Sequence, residues 1–351
     1  MSGMMKAMFL HSWVKKWGDN LKLEQVEIPK PGIHDALVKV GACGVGLTVS
    51  NFLLGHSAND PRLLPKIPGH EVAGRVVEVG EAVENVKLGD RVIAYYYLSC
   101  GYCKYCLAGL QDNCIDSRGR LAIHINGGYA EYVRVPAINL FKIPDAIPYK
   151  EATVICDAVA TPVHVIRDRA QVKPGDTVMV IGAGGGVGIH AVQMAKLFGA
   201  RVIGVDISDW KLEEVRKVGA DEVINSKKLQ LTEEVRRITD NYGVDAAVDF
   251  ASTNQTLKDC FDSLAVRGRL IKMASHPGVT INITSRGFGE RVITGSRYAT
   301  KPEFLQAIKF VHEKKISPIV SKTSSLEDVE QLHILLDRKE LLGRGAILFP
   351  E

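Results

Sequence analysis

The sequence predicts a two-domain α/β protein, with an antiparallel, barrel-like β domain followed by a doubly wound parallel sheet. Three observations carry this. The 351 residues exceed what one small core holds and suit two domains of ~150 residues each. Residues 1–150 break into short extended runs punctuated by Gly and Pro, whereas strands alternate with helices after Pro148. The 33 glycines are clustered rather than periodic, which excludes collagen and marks tight turns.

In order, the extended runs are KAMFLHSW, LKLEQVEIP, ALVKVGACGV, EVAGRVVEVG, DRVIAYYYL and YAEYVRVP, whose alternation and short spacing suit an antiparallel sheet. DTVMVIGAG then reads as a buried strand entering a Gly-rich turn, and GIHAVQMAKLFGA as an apolar-periodic helix closed by Gly199. RVIGVDIS, DWKLEEVRKVGA, DEVINS, LTEEVRRITDNYG, VDAAVDFAS, TLKDCFDSLAVRG, RLIKMASH and RVITGSRYA continue the alternation, which implies right-handed βαβ units. The last fifty residues mix helices and strands and are expected to rejoin the first domain. The expected division is residues 1–155 with 299–351 against residues 156–298.

Composition narrows the function classes. The 46% apolar and 24% charged content is that of an ordinary globular protein and excludes wholesale disorder. The 44 basic residues against 40 acidic ones leave a scattered +4, which argues against nucleic-acid and membrane-surface partners. No apolar stretch reaches the ~20 residues of a membrane span. Met1 to Leu10 is soon followed by His11, Lys15 and Lys16 with no small-residue cleavage site, so the expectation is no signal peptide and a cytoplasmic location.

Four of the seven cysteines, Cys100, Cys103, Cys106 and Cys114, lie in CGYCKYCLAGLQDNC. Side chains on so short an excursion can all turn onto one ion, which suits a structural zinc held by four thiolates. The competing reading is a pair of disulfides or reduced loop cysteines. The odd cysteine total and the charged, aromatic loop favour the metal. Cys260 reads as packing, and Cys43 as a small core residue.

The turn VMVIGAGGGVGIHAV places Gly182, Gly185 and Gly188 between a strand and a helix, with Gly186 and Val187 inside the turn. Glycines there let the backbone approach a pyrophosphate, and the helix N-terminus offers unpaired N–H groups to phosphate. Asp206 ends the next strand, eighteen residues beyond Gly188. A carboxylate there accepts ribose hydroxyls and repels a 2′-phosphate, favouring NAD over NADP. Lys211 lies one helical turn further, close enough to cap the ribose region or else a solvated helix charge. Phe250, Met273 and Ala274 end later strands, lining the nicotinamide side or serving as plain core.

These stretches, with PGHEVAGRVVEVGEAVENVKLGDRV (Pro68 to Val92), GGYAEYVRVP, KPGDTVMVIGAGGGVG and the terminal GRGAIL, resemble the medium-chain dehydrogenase/reductases of the zinc-containing alcohol dehydrogenase type over nearly the whole chain. The resemblance implies a GroES-like catalytic domain carrying the zinc lobe (98–116), a Rossmann domain, a cleft between them, and a homodimer or homotetramer acting on a small-molecule substrate. It also puts Arg344, in GRGAIL, at a basic position that reaches cofactor phosphate in relatives; otherwise it is a surface charge.

The sequence departs from that family where the catalytic metal would be held. Gly46 stands in place of a zinc thiolate and Val49 in place of an acid, while His70 and Glu71 are present and the third ligand position falls on Asp157, beside Cys156. His70, Asp157 and Glu71 offer one imidazole and hard oxygens, a set that holds zinc less tightly than one with sulfur. The other reading is a hydrogen-bonded His70–Asp157 pair lining a metal-free pocket. Thr48 matches the hydroxyl that begins the family's proton relay, and Asn51 stands where a relay His is often found; an Asn cannot titrate.

The expected function is NAD(H)-dependent hydride transfer with an alcohol or carbonyl substrate. Two alternatives stay open: a zinc-independent reductase of C=C bonds conjugated to a carbonyl, and a non-catalytic NAD-binding protein. Pocket walls are expected from residues 53–67 and from Ile283 to Arg297.

Overall fold

The computed structural model describes residues 3–18, 20–56, 59–273, 278–280 and 289–350. Ala274, Ser57 and Ala58 of the 53–67 loop, and Ile283 with its neighbours through 288 lie outside the described residues. The chain divides into two compact units. The first comprises Met1–Asp157, Thr300–Lys314 and Pro318–Glu351; the second comprises Ala158–Ala299 and Lys315–Ser317.

The first unit is built on strands β1 (Met4–Leu10), β2 (Leu21–Glu27), β3 (Asp35–Val45), β4 (Glu71–Val79), β5 (Arg91–Ala94), β6 (Tyr132–Pro136) and β7 (Leu140–Lys142). β1 and β2 pair antiparallel. β3 is the longest strand and pairs with β4 along one edge and β6 along the other. Its burial pattern shows why it is central: Ala36, Leu37, Val38, Val40, Ala42 and Cys43 are all buried, as a strand covered on both faces requires.

The second unit holds β8 (Thr177–Ile181), β9 (Arg201–Asp206), β10 (Glu222–Asn225), β11 (Val244–Asp249), β12 (Leu264–Lys272) and β13 (Val292–Gly295). They form one parallel sheet in the order β10-β9-β8-β11-β12-β13. The order reverses between β8 and β11, which is the switch point where such sheets bind dinucleotides at their carboxyl ends. Met179, Ile203, Val205, Val235, Leu257, Phe261 and Leu270 pack the core on one side of it. The segment read as the helix TLKDCFDSLAVRG divides: helix Asn254–Ser263 ends and β12 begins at Leu264, so AVRG is strand.

The chain then returns to the first unit. Helix Lys301–His312 opens on a capping box between Thr300 and Glu303. β14 (Val320–Ser324) and β15 (Arg344–Leu348) extend the first sheet, giving β14-β15-β3-β4-β5-β7. β15 lies antiparallel to β3, with Gly345 opposite Val45 and Ala346 opposite Gly44. That register brings residue 344 opposite residue 46, although they stand at opposite ends of the chain.

Candidate functional site

Strands β3, β4 and β15 meet at a buried charge cluster. Gly44 in β3 and Gly46, the extended residue just past its end, face the same way, because side-chain positions of extended chain alternate with a period of two. Neither carries a side chain, and both flanking strands use the space. A Cβ on Gly44 would collide with the Glu71 carboxylate, from β4. A Cβ on Gly46 would come within 2.7 Å of both Cζ and Nη1 of Arg344, from β15.

Arg344 Nη2 sits 2.9 Å from Glu71 Oε1 and donates a 2.9 Å hydrogen bond to Asp157 Oδ2. Only 3% of Arg344 is exposed and none of Glu71. Burial pushes the Glu71 carboxyl up, opposed by Arg344 and His70. Burial disfavours the charged form of Arg344, but the two carboxylates outweigh it and hold its pKa above the ordinary value. Arg344 is thus no surface charge: the β3–β15 register aims it at Glu71 and Asp157. Asp157 lies in a π-helical turn, Ile155–Val159, a local widening often found at functional sites.

His70 completes the cluster, its Nε2 3.5 Å from Asp157 Oδ2 and 3.8 Å from Glu71 Oε1. Its Nδ1 is buried with no protein partner. The ring packs on Tyr96 at 4.7 Å between centroids and lines a narrow, mostly apolar pocket with Thr48, Phe52, Leu121 and Ile123. Thr48 and Asn51 both ride on helix Leu47–Leu53, but of the two only Thr48 lines this pocket. Cys43 and Cys156 are buried core thiols, with Cys156 Sγ donating to the Val72 carbonyl.

The helix carrying Thr48 is anchored by a network that motif reading did not reveal. Ser50 Oγ bonds His333 Nδ1 at 2.7 Å, Tyr129 Oη bonds Nε2 at 3.0 Å, and Trp17 stacks on the imidazole. Complete burial lowers the His333 pKa to about 3, so the ring is neutral. A neutral imidazole has one donor and one acceptor nitrogen, and both are occupied.

Could the first-unit cluster hold a metal? Ligand atoms of His70, Glu71 and Asp157 lie within 4.8 Å of one another, as a metal site requires. The donor set does not fit a catalytic zinc, however. Among the described residues no cysteine joins the group within 4.8 Å, the volume of a residue-46 side chain is filled, and a guanidinium already bridges the two carboxylates. The four-cysteine lobe is different. Cys100, Cys103, Cys106 and Cys114 converge within 4.8 Å, with Cys100–Cys106 and Cys103–Cys114 sulfur distances of 3.9 Å. Zinc–sulfur bonds of about 2.3 Å in a tetrahedron need sulfurs roughly 3.8 Å apart, so these residues fit structural zinc. The Cys106 backbone N–H lowers the Cys103 thiol to about 6, while burial raises the neighbouring Cys106 thiol to about 12.

In the second unit the glycine turn is as tight as its sequence suggests. Gly182 takes φ 72°, and a Cβ on Gly188 would strike the Gly182 carbonyl, so both positions require glycine. Gly185 N–H closes the turn onto Gly182 O at 2.9 Å, and the Gly186 carbonyl accepts from His190 Nδ1. Val187 is the N-cap of helix Gly188–Leu197 and supplies no side-chain cap. Asp206 receives the Gly184 N–H at 3.0 Å and the Ile207 N–H at 2.7 Å. Gly184 was not among the glycines singled out above, yet a Cβ there would press within 2.7 Å of Lys211. Lys211 is buried beside the turn rather than solvated. Phe250 stands next to Gly182, and Met273 N–H bonds Asp249 O just past β12.

A six-stranded parallel sheet with a glycine turn at its switch point, joined to a β unit carrying a cysteine lobe, defines a two-domain dinucleotide-dependent oxidoreductase. The family models agree: residues 32–145 match the alcohol dehydrogenase GroES-like domain, and residues 186–313 match zinc-binding dehydrogenase. The chain is 35% identical to an NAD-dependent alcohol dehydrogenase of Sulfolobus acidocaldarius, over 98% of this chain and 99% of that one. It is 32% identical to an acryloyl-coenzyme A reductase of Sulfurisphaera tokodaii, over 93% and 96%. The crystal structure of AibC superposes with a TM-score of 0.91 at 34% identity, covering 99% of this chain and 97% of that one. The chain belongs to the zinc-type medium-chain alcohol dehydrogenase family and is an oxidoreductase.

Proposed function

We propose that this enzyme transfers hydride between NAD(H) and an alcohol or carbonyl substrate. The Asp206 carboxylate at the end of β9, tied to the Gly184 amide of the glycine turn, carries the cofactor reading. It offers acceptors to the adenosine ribose hydroxyls and repels a 2′-phosphate. The uncapped start of helix Gly188–Leu197 supplies N–H groups for the pyrophosphate. Zinc in the cysteine lobe would hold that loop and take no part in the chemistry.

In the reducing direction, bound NADH would supply hydride to the carbonyl carbon as the C=O π pair moves onto oxygen, and the oxygen would take a proton to give the alcohol. The Thr48 hydroxyl and His70 line the pocket and serve as hydrogen-bond donors to that oxygen. Because the cluster behind His70 does not suit a catalytic zinc, polarisation falls to these donors. Asn51 cannot carry the proton onward, so it leaves or arrives through water.

One observation favours a second reading. Hydrogen-bond donors stabilise a developing oxyanion less than a dication does, and the Arg344 guanidinium fills the space of the missing thiolate. Weaker polarisation suits a C=C conjugated to the carbonyl: hydride adds to the β carbon, the enolate oxygen rests on the same donors, and a proton closes the α carbon. The 32% identity to an acryloyl-coenzyme A reductase gives this branch only weak support beside the 35% identity to an alcohol dehydrogenase. NADH oxidation with saturated aldehydes and ketones, set beside enones and enoyl thioesters, decides between them. Turnover on saturated carbonyls is the expected result; turnover on conjugated alkenes alone selects the second reading, and turnover on neither contradicts both.

A homodimeric or homotetrameric, cytoplasmic enzyme with a small-molecule substrate and no nucleic-acid or membrane partner is part of the same proposal. The small, scattered net charge supports it, and among the described residues no helix is long and apolar enough to cross a membrane.

A further inference from the structure

We propose that the Arg344 guanidinium is the resident cation of the catalytic centre, that Gly46 makes room for it, and that the pair keeps divalent metal out. The inference rests on the reading of His70, Glu71 and Asp157 as that centre.

Three geometric facts support it. The guanidinium carbon and Nη1 lie 2.7 Å from where a residue-46 Cβ would stand, so a side chain at 46 and Arg344 in this pose exclude each other. One guanidinium nitrogen, Nη2, reaches both carboxylates at 2.9 Å, so one of their two negative charges is already offset. Arg344 is held by β15, whose register against β3 fixes it opposite Gly46. A divalent ion among these ligands would face the guanidinium across a dry, low-dielectric site, where like charges repel strongly.

Arginine differs from a metal in what it can do. It keeps its charge at every working pH and has no vacant coordination position, so it cannot bind a substrate oxygen directly or acidify a bound water. Its role is to hold the Glu71 and Asp157 carboxyl groups in place. His70 is thereby left unligated, with its Nδ1 bonding no protein group. Arg344 is a positioning residue, and His70 is the group that meets substrate.

The test counts metal on the full chain and needs no turnover, so its failure is separate from failure of the hydride-transfer reading. Elemental analysis and cobalt titration should give one metal per chain, unchanged in His70→Asn. Two per chain, falling to one in His70→Asn, would overturn the proposal. The double variant Gly46→Cys, Arg344→Ala should gain a second cobalt with thiolate-to-metal absorption; a folded double variant that still holds one would overturn the assignment to this pair. Arg344→Ala alone leaves two buried carboxylates without a cation, so added cobalt should raise its melting temperature while leaving that of Arg344→Lys unmoved. Equal responses of the two variants would also contradict the proposal. If neither Ala variant folds, the wild-type and His70→Asn counts decide.

Discussion

Among the described residues, two clusters of metal-ligand residues lying wholly in the first unit are built on opposite principles. In the cysteine lobe, Cys100, Cys103, Cys106 and Cys114 bring four like ligand atoms within 4.8 Å of one another. In the charge cluster, His70, Glu71 and Asp157 are as close together, but Arg344 reaches into their midst. Ligand types within reach of one another therefore do not define a metal site. What already balances their charge decides whether an ion enters.

The comparison breaks most easily at the lobe. Cys100→Ser, or stripping the metal with a chelator, should release the bound zinc and cost on the order of several kcal/mol, because structural zinc supplies folding energy directly. Urea unfolding with metal content measured in parallel would show it. Unchanged stability after complete metal loss would mean the lobe holds itself. The charge cluster should not respond to the chelator at all.

A smaller effect comes from a buried group that stays uncharged. His333 has a folded pKa of about 3 against an unfolded value near 6.5, so the unfolded chain binds the extra proton. Stability from this residue is fully present above pH ~6.5 and is lost as the pH falls towards 3, by up to a few kcal/mol. Unfolding curves between pH 7 and 5 should steepen in that direction, and His333→Gln should remove part of the slope. A wild-type slope unchanged by the substitution would exclude His333 as its source.

The smallest effect concerns the cofactor. Asp206→Asn should weaken NADH binding by roughly tenfold, about 1.4 kcal/mol, and improve the relative affinity for NADPH. Fluorescence titration with both cofactors measures the two constants, and a preference that does not move would remove Asp206 from cofactor selection.

What the sequence revealed depended on how local the signal was. The cysteine spacing and the turn from Gly182 to Gly188 are short-range patterns, and the structure places them together as read. The parallel sheet follows from the strand–helix alternation. The contacts of Arg344 with Glu71 and Asp157 were not legible, because these partners arrive by long-range pairing, fixed by the β15–β3 register. A signal was present nevertheless. Two glycines at alternate extended positions, Gly44 in β3 and Gly46 just past its end, mark a face that other side chains must fill. The Ser50–His333–Tyr129 network had no such signal, since a serine, a histidine and a tyrosine far apart in sequence form no motif.

Zinc K-edge absorption spectroscopy on the purified enzyme asks the two clusters to declare themselves in one spectrum. The expected result is a shell of four sulfurs at about 2.3 Å with no lighter neighbour. A shell mixing sulfur with nitrogen or oxygen at about 2.0–2.1 Å would place metal on His70, and a guanidinium could not then be the cation of this centre.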